Sequence, residues 1–512
     1  PEIGGNEATL LDLEALLARR EWVHRLARGL VRDAADARGW LPGPWRSAAD
    51  EIEALLQVPV VVESWAAFDA LFAWEARRVS AGGTRRCTGY LGAAVRSFFA
   101  HGGRRAVIVR AGDPWPVLEA TGERAAARGA RLAALLGPNS NAVDPATWRG
   151  LGQLFGLPEV ALVCLPDLAD TCAADAEVVD VNIEAPSSPE VFVECTGGGE
   201  GTVQQDVGLR DLAPPRCDDA GFIAWRNAVF AAGAQFASHH REMQLIAALP
   251  LPRANVRSTA VSGTVWAQAD FGAWLERAGI LLHEADDDPR GRPQAAFVQL
   301  AWPWLKTRHS SDLPFLLEPP DGMLAGLLAR NALLRGTFRS VAGTPLPAVY
   351  GSEPVLSWSG MAETASDRLA RQVCVVAPGT DGWAMQSDVS TSDVEPWRAG
   401  GVSRLMGAIL RAARRVGESA LFDANGPALW SRVRRSLEQT LLAFWREGAL
   451  GGATAEEAFS VRCDRSTMSQ NDLDNGRVRA EIAVLPVSSV ERITVVLELT
   501  GGGVALPARE VA

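Results

Sequence analysis

The chain has 512 residues, 47% hydrophobic and 22% charged, with a formal net charge of −11 at pH 7. That length supports several domains with large cores, and the composition is ordinary for a globular protein. The acidic balance argues against nucleic acid as a main partner, and no run of 18 apolar residues is present to span a membrane. The opening residues lack the basic segment and apolar stretch of a secretion signal. Seven scattered cysteines without a C-x-x-C pair fit reduced, cytosolic assembly rather than a structural zinc.

In chain order, residues 1–45 read as an N-terminal helical segment, with Leu10, Leu13, Leu17, Val23, Leu26 and Leu30 on one side. The stretch 39–44 (GWLPGP) breaks it. From 46 to 345 short apolar runs alternate with helical patterns. Strands are predicted at 58–62, 106–110, 160–165, 245–251 and 295–301, and helices at 64–77, 89–100, 116–136, 144–154, 222–241 and 271–278. Such alternation predicts a middle, outer α/β domain with a largely parallel sheet, whose strands are continuous apolar runs because both faces are covered. At about 173–217 the pattern changes to half-buried strands at 178–183 and 191–195, read as a small β insertion. Residues 286–293 (DDDPRGRP) form an exposed loop. Residues 346–400, rich in Gly, Pro, Ser and Thr, read as an inter-domain crossing with short strands such as 372–376.

Residues 401–512 form a C-terminal α/β domain, so the whole chain is α/β and α+β, multidomain. Helices are predicted at 402–416 and 427–447, the second with Pro427 in its first turn, where the missing N–H costs nothing. Their apolar stripes are Leu405, Ile409, Leu410 and Val416, then Trp430, Val433, Leu437, Leu441, Phe444 and Trp445. The opposite faces carry Arg404, Arg411 and Arg415, then Arg432, Arg435 and Gln439. Eight arginines against four acidic residues between 401 and 447 make this helix pair basic on an acidic protein. Charge alone leaves two readings open, a contact surface and a solvated face. Strands follow at 458–462, 477–485 and 490–499. The last, with Val490, Ile493, Val495, Leu497 and Leu499, alternates as an edge strand does.

Nothing in the chain reads as a catalytic, cofactor or metal site. No G-x-G-x-x-G follows a strand, and no G-x-x-x-x-G-K-[ST] or G-x-S-x-G is present. His239 and His240 are adjacent on a helix, so their rings diverge by about 100° and do not chelate. Asp472-Leu473-Asp474-Asn475-Gly476 lacks the twelfth-position glutamate of a calcium loop and reads as a turn.

The stretches 429–435 (LWSRVRR), 444–450 (FWREGAL), 453–459 (ATAEEAF), 461–464 (VRCD) and 471–477 (NDLDNGR) resemble the C-terminal domain of contractile tail sheath proteins. These are the sheaths of myophage tails, R-type pyocins and extracellular contractile injection systems. The resemblance extends to 98–110 (FFAHGGRRAVIVR), 301–306 (AWPWLK) and 319–343. The extended N-terminal arm usual in that family is not found; the helical segment stands in its place.

The resemblance implies a structural subunit of a contractile sheath that surrounds a rigid inner tube and shortens to drive it through a target envelope, with no enzymatic activity and no cofactor. It implies partners of the same or paralogous sheath subunits in six-fold rings, the inner tube protein, and baseplate or terminal cap proteins. It places assembly in the bacterial cytoplasm, as part of a phage tail-like particle that is released. Arg404, Arg411, Arg415, Arg432, Arg435 and Gln439 then become the expected tube-facing residues. The last strand, Val490, Ile493, Val495, Leu497 and Leu499, becomes the expected strand for a neighbouring subunit, against the alternative of pairing within its own chain. A specialised ring at the baseplate or distal end is a second reading, favoured by the missing arm, and a Rossmann-like enzyme is a remote third.

Overall fold

Apolar runs and Gly or Pro breaks divide the chain into two bodies. The computed structural model describes residues 57, 59–72, 89–112, 124–174, 213–253, 296–311, 313–354, 369–392, 394–421, 423–487, 493–500 and 503–505. The expected helical segment at 1–45, most of the insertion at 173–217, the helix at 271–278 and the loop at 286–293 lie outside them.

The first body opens with β1 (Pro59–Val62), α1 (Trp65–Phe72), α2 (Leu91–Ala100) and β2 (Ala106–Val109), the last pairing antiparallel with β1. Just after α2 comes Gly102, at φ 100, a conformation that favours glycine. Next come α3 (Arg124–Leu136), β3 (Leu162–Cys164), α4 (Leu168–Cys172), β4 (Arg216–Cys217) and α5 (Asp219–His239). The Asp218 carboxylate starts α5 by accepting the Gly221 N–H at 2.7 Å. They are followed by β5 (Gln244–Ala248), β6 (Leu251–Pro252), β7 (Val298–Trp302), β8 (Trp304–Thr307) and α6 (Asp321–Leu334). The body ends with β9 (Val349–Glu353), β10 (Val373–Gly379) and β11 (Gly382–Met385).

Five of these strands form one sheet in the order β11-β10-β7-β5-β3; the last four are parallel and β11 is an antiparallel edge. Alternate residues point to opposite faces. Leu245, Ala247, Val298, Leu300, Val373 and Val375 pack in the core that contains Phe222, Trp225 and Phe236 of α5. Ile246, Ala301, Cys374 and Val376 pack in the core that contains Met323, Leu324, Leu327 and Leu328 of α6. A sheet covered on both faces favours apolar side chains at most positions, which is the near-continuous pattern seen in the sequence; Gln244 and Gln299 are buried polar exceptions. Each fully buried aliphatic side chain contributes about 1.5–3 kcal/mol.

Two expectations need correction. Residues 144–154 are not one α-helix but two 3₁₀ segments, Pro145–Thr147 and Gly150–Gly156. Gly150 opens the second at φ 49, and a Cβ there would lie 2.0 Å from the Leu135 carbonyl oxygen. Nor is 346–400 a bare crossing. It supplies β9, β10 and β11, and β10 sits inside the sheet, parallel to β7. The strand expected at 372–376 is this β10; what the crossing reading missed is its place inside the sheet.

The second body contains α7 (Gly400–Ser419), α8 (Pro427–Arg446), β12 (Phe459–Arg462), the short α9 (Gln470–Asp474), β13 (Val478–Val484), β14 (Ile493–Thr500) and β15 (Gly503–Ala505). The four strands form an antiparallel sheet in sequence order. Val402, Leu405 and Ile409 of α7 share one core with Val433, Leu437 and Leu441 of α8 and with Val461, Ala480 and Ile482 of the sheet. The predicted helices and strands are thus all present, with ends shifted by up to three residues.

Candidate assembly interface

The basic faces of α7 and α8 have different surroundings. Helix α7 lies against the α/β body on a glycine face. A Cβ at Gly401 would sit 2.1 Å from the Phe338 carbonyl oxygen, and one at Gly407 would sit 2.7 Å from that of Glu242. So close an approach buries Arg404 and partly buries Arg411 and Arg414 on that side.

Arg404 is only 6% exposed. Its Nη2 lies 2.6 Å from Asp388 Oδ2 and its Nη1 2.9 Å from Oδ1, a two-pronged pair on a side chain that is itself fully buried. Arg404 Nε also donates to the Thr337 carbonyl at 3.0 Å. Gln299 of β7 donates to Asp388 Oδ1 at 2.8 Å, and the Val341 N–H donates to Oδ2 at 3.0 Å. Burial alone would raise the Asp388 carboxyl; Arg404 and these donors outweigh it and hold the group below the ordinary carboxylate range.

Arg411 is half-buried and donates to the Glu242 carbonyl oxygen. Arg414 reaches the Glu242 carboxylate at 2.7 Å, where Glu242 is 1% exposed. Arg404 is therefore corrected from a tube-facing residue to a buried clamp between the two bodies, and Arg411 points toward the same seam. The spacing correctly put 404, 411 and 415 on one helix face. What covers that face, Asp388 and Glu242, is distant in sequence and invisible to helical periodicity.

The free basic face belongs mainly to α8. Leu429, Val433, Leu437 and Leu441 point inward, and Trp430, Phe444 and Trp445 pack partly against the same core. Arg432, Arg435 and Gln439 are exposed, as is Arg415 on α7. Arg432 pairs with Asp423, both about half exposed. Arg434, which the sequence reading omitted, is also exposed and faces Glu438 at 3.7 Å. Among the described residues neither Arg415 nor Arg435 has a carboxylate partner.

Strand β14 carries Ile493, Val495, Leu497 and Leu499; Val490 lies outside the described residues. Within the chain β14 pairs with β13 along its whole length, from Val484↔Ile493 to Val478↔Leu499. On its other edge β15 covers only Glu498 to Thr500. Among the described residues the edge from Ile493 to Leu497 has no partner strand.

Groups weighed for chemistry are engaged in structure. His240 is buried beside Phe155 and Phe236, and burial, helped by His239 and Arg414, pulls it down to about 4. The Asp472 carboxylate accepts the Ser469 N–H and hydroxyl at 2.8 and 2.7 Å, closing a capping box at the start of α9. Burial pushes the Cys463 thiol up to about 11. Among the described residues no three His, Cys, Asp or Glu gather to hold a metal ion, and no helix is long and apolar enough to cross a membrane.

Residues 392–500, spanning α7 to the end of β14, match the family model of the phage tail sheath C-terminal domain. The C-terminal body is a tail sheath domain. The resemblance read from its motifs is borne out. Over the wider chain the fold is similar to that of a chain of the anti-feeding prophage (AFP) baseplate in the contracted state. That match has a TM-score of 0.54 at 18% identity and covers 86% of this chain and 88% of that one. The 6-fold symmetrised AFP baseplate gives a TM-score of 0.50 at 19% identity, over 86% and 87%. The contracted sheath complex of PVC, an extracellular contractile injection system, gives 0.46 at 16% identity, over 86% and 85%. The comparison with curated proteins returned no match.

Proposed function

We propose that this chain is a structural subunit of a contractile sheath, built into rings around a rigid inner tube, with a mechanical rather than an enzymatic role. The observation that carries the reading is the sheath C-terminal domain match over 392–500, on the same helices and strands that form the second core. In this reading the tube lies against the exposed face of α8, through Arg432, Arg435 and Gln439, with Arg415 beside it. Exposed pairs contribute only about 0–1 kcal/mol each. Such weak contacts suit a surface that must hold and then release, and the repeat of subunits supplies the total. A neighbouring subunit's strand adds to the open β14 edge at 493–497, where main-chain hydrogen bonds supply the strength. Contraction is then the relaxation of a bistable interface, with no cofactor and no hydrolysis. Assembly takes place in the producing cell, before release of the particle.

The double charge reversal Arg432→Glu with Arg435→Glu tests the tube contact. The expected outcome is a folded subunit that no longer assembles on tubes in the extended state; normal extended particles would refute it. A second reading, a specialised ring at the baseplate, is favoured by the AFP baseplate chains that share the fold. Copy number per particle separates the two: about one ring for the baseplate, many rings for the bulk sheath.

A further inference from the structure

Helices α2 and α6 meet without room for side chains. A Cβ at Gly322 would lie 2.4 Å from the Ala94 carbonyl oxygen, and one at Gly326 would lie 2.5 Å from that of Phe98. Two carboxyl groups are sealed at this seam, Glu318 at 1% exposure and Asp321 at 0%. Among the described residues neither is in an ion pair, and Glu318 Oε2 and Asp321 Oδ2 have no hydrogen-bond partner. The backbone holds both groups in place. Glu318 exchanges N–H and C=O bonds with Leu305 at 2.9 Å, and Asp321 occupies the first turn of α6.

From α2, the Ser97 hydroxyl donates to Glu318 Oε1 at 3.3 Å, and His101 Nδ1 is 3.5 Å from that hydroxyl. Arg96, also on α2, is the cation facing Glu318, but its guanidinium sits over the Trp65 ring at 4.7 Å. From β8 comes the Thr307 hydroxyl. From the turn before α4 comes Asp167, which accepts the Tyr90 N–H and lies near Asp170 and Arg131. From β3 the Cys164 thiol donates to the Asp321 carbonyl at 3.8 Å. A buried carboxylate whose facing cation, Arg96, is drawn onto the Trp65 ring is disfavoured in its charged form. The neutral acid is the form such a seam accepts.

We propose that Glu318 and Asp321 form a proton-held joint between α2 and α6, closed while both are neutral acids and loosened when they ionise. Burial raises Glu318 to about 8 and Asp321 to about 7. The joint does not act alone. The far end of α6 carries Asn331, whose Nδ2 donates to the Arg339 carbonyl at 2.6 Å, and the Thr337 and Arg339 carbonyls both accept from Arg404. Loosening α6 therefore loosens the clamp on α7, so alkaline pH weakens the connection between the two bodies.

The sign follows from proton linkage. The closed joint holds protons that an opened, hydrated one releases, since ordinary carboxyls titrate near 4. The opening constant rises about tenfold per pH unit for each proton released, from about pH 5, and levels off above the Glu318 value of about 8. Hydrogen exchange of the full chain, corrected for intrinsic rates, measures this opening at α2 and α6. The expected result is a rising opening constant between pH 5 and 8 that loses one proton's slope in Glu318→Gln. Equal slopes in the two proteins, or none in the wild type, would overturn the proposal. Infrared spectra of the wild type supply a readout that does not depend on the variant folding. A neutral carboxyl band at pH 7 that disappears by about pH 9 supports the joint, and its absence at pH 7 refutes it.

Discussion

Arg404 and Arg435 share a residue type, a helical setting and a basic sequence neighbourhood, yet one is buried on Asp388 and the other projects into solvent. Removing one partner of a buried pair leaves an uncompensated charge. Arg404→Ala is therefore expected to lower stability by about 3–5 kcal/mol, whereas Arg435→Ala should stay within about 0.5 kcal/mol; urea unfolding of both variants measures the contrast. The pH dependence of the clamp follows from the lowered Asp388 carboxyl. Its contribution is present above the ordinary value near 3.9 and is lost as the pH falls through the depressed folded value. The stability gap between the wild type and Asp388→Asn should accordingly narrow only in strong acid. Helical spacing assigned Arg404, Arg411 and Arg415 to one face, and it had no means of naming Asp388 or Glu242 as what covers the first part of it. Glu318 went unnoticed for a similar reason, because a lone glutamate before two prolines carries no mark of burial.

At the scale of elements, the legible parts were those whose pattern follows from their own residues. The strands of the parallel sheet are largely apolar, with Gln244 and Gln299 the buried polar exceptions, because both faces are covered, and α8 shows its stripe because one face is not. The parts that were not legible depend on a neighbour. A Gly at φ 49 cut the expected helix at 144–154 into 3₁₀ turns, and the strand expected at 372–376 gave no sign that it lies inside the sheet as β10. Alternation revealed β14 as a strand without revealing its long register on β13. The α2–α6 contact gives an element-scale prediction. In Gly322→Ala the new methyl meets Ala94 main-chain atoms, which cannot swing aside. The substitution should cost about 1–3 kcal/mol despite the higher helix propensity of alanine, and a lowered midpoint in thermal unfolding would register it.

Across the whole molecule, two cores share one helix: α7 contributes its apolar stripe to the C-terminal core and its glycine face and arginines to the α/β body. The two bodies should unfold together in the wild type. With Arg404→Ala and Arg414→Ala combined, calorimetry should resolve two transitions where the parent shows one. A single unsplit transition would mean that the glycine contacts suffice without the ion pairs.

The position of Asp388 has a mechanical consequence. If the tube pulls on α8, the load passes through the shared core into α7 and crosses to the sheet at Arg404, Asp388 and Gln299 of β7. That route meets the covalent connection only at Asp388 and skips the rest of 389–399, so the bodies are welded side by side rather than tethered end to end. In the proposed sheath, a displacement that reaches one body is then passed to the other with little slack.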